Sequence, residues 1–567
     1  MKRTILFLLL ICCIYPSISA ASDFNGFFVF DQIKNSIEIF DGTERINTIK
    51  SAPKPSRIIK NPNNNGYILM NRGDKKKSGG LTFLNPDFKS ATRKELPGSV
   101  IQDFYLKESG LWLLFTVSSD SDKPVSNLTC YDLNTEATNT ISLNGPPVAY
   151  RFNDDRTQLA VGTLGNAKNK VPAELALIDL TQNEVRKFPV SANPGAIYQT
   201  ASGKIVVACG GFRNSQKYPS KALIERTDSA EFAKLHWIDT VTGETEVTQL
   251  GYSPLIIGQD QNDSDTFYAV CANVYGDPNE EQTGITIGSI LNESNQPAAT
   301  FYKITSGKIS AELKLRNQPN LLVQPSSGTV CLQGEKEILI IDISEPAPQL
   351  MKYTDDREID EFLYNSDRTI GFLSNVNSNI LNIIDLRTGK EIKTLQISKT
   401  FYIGRMFIDL FKSGFLPVIE STSVTPETMH RSENRRMFFS KDLSHLYILA
   451  GAPEVCVIDL QTNEVKSVIK FKDTQYGIHP TPEGKFIVIT AENSWYLLDP
   501  SQTKPGFYLN FRLEENEQGP KEGYYSPNGN LLVIPFKNYL YLIDPIQGVS
   551  IGKTRTKAIA PLIAWPE

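Results

Sequence analysis

Histidine, tryptophan and methionine are scarce in this chain: 4, 4 and 6 residues among 567. The histidines, His236, His430, His445 and His479, stand far apart, with no His-x-x-x-His or Cys-x-x-Cys-His spacing. The pattern argues against multi-histidine copper centres and covalently attached haem. No Gly-x-Ser-x-Gly elbow follows a strand pattern and no Walker-type glycine loop occurs, so nucleophilic hydrolysis and nucleotide chemistry have no visible signal. A helical hydrophobic period is also missing. Nor is there an excess of one charge: 58 Lys and Arg are interspersed with 63 Asp and Glu, for a net charge of -5. Without a basic face, nucleic acid is not an expected partner.

Cysteine is sparse too, at 7 residues, two of which, Cys12 and Cys13, lie in the only long apolar run. That run, Ile5 to Tyr15, follows Met1-Lys2-Arg3 and precedes Pro16 and the small-residue exit Ser17-Ile18-Ser19-Ala20-Ala21. The layout predicts a signal peptide over residues 1–21 and a secreted or periplasmic mature chain beginning near Ala21 or Ser22. It is shorter than the roughly 20 residues a membrane-crossing helix needs, and no transmembrane segment is expected. Cys130, Cys209, Cys271, Cys331 and Cys456 fall in apolar, strand-like runs without metal-ligand spacing. They read as buried small hydrophobes, with one disulfide as the alternative. No metal and no cofactor are expected.

What the chain does have is a repeat. Three or four apolar residues lead to an Asp, a polar turn, and then a strand rich in Lys and Val. Good copies are Leu175 to Asp179, Leu381 to Asp385 and Val455 to Asp459; weaker ones centre on Asp41, Asn85, Asp132, Asp239, Thr305, Asp342, Asp499 and Asp544. Successive anchors lie 37 to 74 residues apart with a basic period of about 45, the length of one four-stranded propeller blade. Upstream of most anchors is a second hairpin turn, such as Asn153-Asp-Asp-Arg156 or Pro527-Asn-Gly-Asn530. A structural role accounts for the repeated Asp: its carboxylate can accept backbone N–H groups two or three residues on and fix the turn.

These motifs predict an all-β chain of about 11–12 four-stranded blades, more than the usual four to eight per ring, and so two β-propellers. The expected division is 22–317 and 318–567, the second part holding an insertion at about 400–435; a single very large ring is the alternative. Phe27 to Phe30 and Ile37 to Asp41 read as the second and third strands of a blade that lacks its innermost strand. The segment 560–566 is predicted to supply that strand and close the architecture. The phrase-and-hairpin pattern resembles the YVTN-type propeller repeats, similar in shape to WD repeats and to the TolB-like propellers of bacterial envelopes. The words Tyr-Val-Thr-Asn themselves are absent. The resemblance implies the fold and carries over no site residue.

Loops between second and third strands are longest in the first half, after Cys209 and after Asn273. Rigid scaffolds commonly place binding groups on such loops. Arg213, Lys217, Tyr218, Lys221 and Arg226 on one loop are expected to face Tyr275, Asp277, Glu280 and Glu281 on the next, forming a polar rim. Solvated loop charges are the bland reading, and a calcium site at the three acids lacks a recognised spacing. The sequons at Asn127, Asn262 and Asn292 are taken as chance. The function expected is an exported binding or scaffolding module for a protein or glycan. The alternative is a lactonase- or hydrolase-like propeller enzyme acting on a small polar substrate, with dispersed carboxylates at the ring centre.

Overall fold

The computed structural model describes residues 26–566, except 211–231, 273–298, 398–436, 499–507, 511–522 and shorter gaps of one to six residues. Every regular element among them is a β-strand, and no helix is long and apolar enough to cross a membrane. The strands form nine four-stranded sheets and one seven-stranded sheet. Eight of the four-stranded sheets run in chain order, the kind of meander a propeller repeats as its blade.

One such sheet shows how the sequence makes them. Pro147–Phe152, Gln158–Thr163, Glu174–Asp179 and Glu184–Pro189 pair in chain order. The two middle strands are almost wholly buried on both faces, one of them against the next sheet; this is why the sequence reads there as continuous apolar runs rather than as alternation. The outermost strand, Glu-Val-Arg-Lys-Phe-Pro, is mostly exposed, and its charges guard an open edge against pairing with another chain.

The core lies between successive sheets. Ala160, Leu175 and Leu177 of that sheet pack with Ile197, Val207 and Ile238 of the next. Likewise Cys331, Ile338 and Ile340 pack with Phe362, Leu373 and Ile384. The five cysteines among the described residues are buried and free, so the small-hydrophobe reading holds for them and no disulfide joins them. Burial pushes the Cys130 thiol up to about 11 and those of Cys209, Cys271 and Cys456 to about 12, leaving them protonated at neutral pH.

The first sheet is completed from the far end of the chain. Pro561–Ala564 pairs antiparallel with Phe27–Asp31, setting Phe28 against Ala564 and Asp31 against Pro561. Ser36–Asp41 and Glu44–Lys50 follow outward.

The seven-stranded sheet departs from expectation. Blades anchored at Asp239 and Thr305 were expected as separate units, yet a single strand, Thr245–Gln259, serves both. Its first half pairs with Phe232–Ile238 and its second with Thr266–Ala272, with register shifts at Tyr252, Pro254 and Ile256 where it folds over. The crossing is tight: a Cβ on Gly251 would meet the Cys271 Cβ and the Tyr302 hydroxyl, each at 3.0 Å.

By contacts the chain divides into two compact units, one of Met1–Trp112, Tyr131–Ala137 and Pro520–Glu567, the other of Leu113–Cys130 and Thr138–Gly519.

Candidate functional site

The repeated Asp is a turn device. The Asp179 carboxylate accepts the N–H groups of Thr181 at 2.8 Å and Gln182 at 3.0 Å. Asp239 does the same with Val241 and Thr242, Asp385 with Arg387 and Thr388, and Asp459 with Gln461 and Thr462. The bonds hold these carboxyls below their ordinary range, led at Asp179 by the Thr181 hydroxyl and at Asp459 by the Thr462 N–H. Four residues past the anchor the backbone turns left-handed, at Glu136, Asn183, Gly243, Gly389 and Asn463. Where the hairpin has only two loop residues, as at Ser306-Gly307 with φ of 47° and 83°, the anchor is dispensable, and Thr305 stands in its place.

A second device, in the upstream hairpins, is one that sequence reading did not extract. Asn153 Oδ1 accepts the Gln158 N–H at 2.8 Å, and Asn365 accepts that of Ile370 at 2.8 Å. Ser440 and Ser526 use Oγ in the same way toward His445 and Leu531, each at 2.9 Å. The only sequence signal was a small polar residue placed just after each first strand.

Buried carboxylates join one sheet to another. Asp103 receives Arg57 Nη1 at 2.7 Å and Trp112 Nε1 at 3.1 Å on one oxygen. Asp260 receives Gln324 Nε2 at 2.7 Å and the Tyr268 hydroxyl, which this bond and, to a larger extent, burial push far up. Glu38 receives the Thr556 hydroxyl and the Lys557 N–H, both at 2.9 Å, and so ties down the segment leading to the last strand. These acids are engaged in holding neighbouring strands, and their placement suits tethering rather than proton transfer. Among the described residues no group of three or more His, Cys, Asp and Glu could hold a metal ion.

His236 lies in Phe232–Ile238, where its Nε2 accepts the Ser191 N–H at 3.0 Å. Burial, helped by Lys234, depresses it to about 4. His445 contacts Lys466 Nζ at 2.6 Å; His430 lies outside the described residues.

Arg213, Lys217, Tyr218, Lys221, Arg226, Tyr275, Asp277, Glu280 and Glu281 also lie outside the described residues. The strand ends that carry their segments are described. Tyr252 pairs with Phe232 on one side and with Ala272 on the other. Thus 211–231 ends, and 273–298 begins, two strands apart at one end of one sheet.

No protein-family model matches the chain, and no curated protein sequence matches it. Among solved structures it is similar to dihydro-heme d1 dehydrogenase NirN in complex with DHE, at 12% identity and a TM-score of 0.33, over 82% of this chain and 76% of that one. The likeness transfers no residue, ligand or activity.

Proposed function

We propose that this chain is an exported β-propeller module that binds or scaffolds a protein or glycan through the segments 211–231 and 273–298. The observation that supports this reading is the pairing of Tyr252 with both Phe232 and Ala272, which brings the roots of the two insertions together on a rigid sheet. Loops rooted side by side on packed strands can present a continuous surface while the scaffold stays unchanged. In this proposal the sheets are blades of YVTN-like type, divided into two rings near 317/318, with the Pro561–Ala564 strand as the closing element.

The test is capture of partners from an envelope or culture fraction by the chain 22–567, with a control in which 211–231 and 275–296 are each replaced by a short turn. A reproducible partner or glycan held by the full chain and lost from the folded control is the expected result. Equal capture by both proteins overturns the loop assignment; turnover of a lactone or glycan with no captured partner favours the enzyme reading.

A further inference from the structure

At the opposite end of the strands from those insertions, a small cleft opens between the hairpin of Pro147–Phe152 with Gln158–Thr163 and that of Pro194–Gln199 with Ile205–Cys209. Its floor is apolar, built from Ala160, Leu177, Ile197 and Ile205. Its rim is polar: Asn153 is engaged with the Gln158 N–H, and three other side chains are not. Arg151, Gln158 and Gln199 belong to its lining, Arg151 and Gln199 exposed to solvent and Gln158 half-buried, and none of the three side chains has a hydrogen-bond or ion-pair partner among the described residues. Neighbouring polar groups are committed: the Asp155 carboxylate takes the Thr157 hydroxyl at 2.6 Å, the Tyr198 hydroxyl donates to Ile257 O at 2.9 Å, and Arg186 donates to Thr240 O. Arg151 also lies near enough to the Tyr198 hydroxyl for its charge to offset part of the burial that lifts that hydroxyl to about 12.

We infer that this cleft is an anchoring site for the carboxylate end of a ligand, gripped by Arg151 and flanked by Gln158 and Gln199. The cleft is about half open to solvent and has room for roughly three waters, enough for a carboxylate group and not for a whole sugar ring or peptide. A planar carboxylate matches the guanidinium fork with two parallel bonds, a grip that an ammonium or a neutral amide cannot reproduce. The two carboxamides can take hydroxyl or amide groups next to that carboxylate, and the apolar floor takes the carbon attached to it. A peptide C-terminus and a sugar acid share this chemistry. Because the cleft and the long insertions lie at opposite strand ends, the site stands or fails independently of the loop-binding proposal.

Saturation-transfer NMR on the chain 22–567 tests it with acetyl-glycyl-glycine, the same peptide as its C-terminal amide, galacturonate, galactose and inorganic phosphate. Saturable binding of an acid but not of its neutral counterpart is expected, weakened at least tenfold in Arg151→Gln with an unchanged thermal midpoint. Whether the peptide acid or galacturonate binds more tightly identifies the source of the carboxylate. Equal binding of acid and neutral forms, tighter binding of phosphate, undiminished binding by Arg151→Gln, or no saturation by any acid overturns the assignment.

Discussion

At the residue scale, burial and hydrogen bonding set the chemistry of the individual groups more than residue type does. His236 is an ordinary histidine by sequence, yet it is kept neutral because its Nε2 must accept the Ser191 N–H and its surroundings exclude water. Its folded pKa of about 4 lies below the ordinary 6.5. As pH falls from about 6.5 to about 4, the unfolded chain takes up a proton that the folded chain refuses. Stability present above pH 6.5 is therefore lost across this window, at up to about 1.4 kcal/mol per pH unit. Urea-unfolding midpoints of wild type and His236→Gln should converge as the pH drops from 6.5 to 4. A constant gap between the two would mean that another group carries the pH dependence. Asp103 with Arg57, and Asp260 with Gln324, show why such pairs escape sequence reading: partners 46 and 64 residues apart meet only once two sheets are packed.

Turn chemistry decides each element. The four-residue turn after a third strand needs a cap at its start and a left-handed residue near its end, and Asp179 with Asn183 or Asp459 with Asn463 supplies both. That grammar was legible because the two residues are close in sequence. The upstream hairpins are less well fitted. Leu443 holds φ at 57° with its side chain 48% exposed, so it bears the left-handed strain without a packing return. Leu443→Gly should raise stability by about 0.5–1 kcal/mol, measured by chemical denaturation, while Leu446→Gly, at a fully buried position in the strand beside it, should be strongly destabilising. The shared strand Thr245–Gln259 was not legible. Gly251-Tyr-Ser-Pro254 looks like a loop, and only the pairing of Tyr252 with both Phe232 and Ala272 shows that the chain continues through it as one strand.

For the molecule as a whole, the meeting of the chain ends matters most. Pro561–Ala564 covers the inner edge of Phe27–Asp31, and Thr556 and Lys557 satisfy the buried Glu38 carboxylate. Truncation after Arg555 removes both, leaving an apolar edge open and a buried acid without those two donors. The truncated chain is expected to aggregate or to be cleaved within 27–50 under limited proteolysis, while Trp565→Ala alone leaves the Pro561–Ala564 strand in place. A truncated chain as resistant as the full one would show that the terminal strand is ornamental.

The sequence by itself determined the repeat, the all-β class, the Asp turns, the buried cysteines and the pairing of the two ends, because each is written in residues within a few positions of one another or at the termini. Tertiary structure alone decided which carboxylates are tied up between sheets, that two expected blades share one strand, and that Arg151, Gln158 and Gln199 line one cleft. These depend on contacts between sheets, and such contacts have no period in the chain.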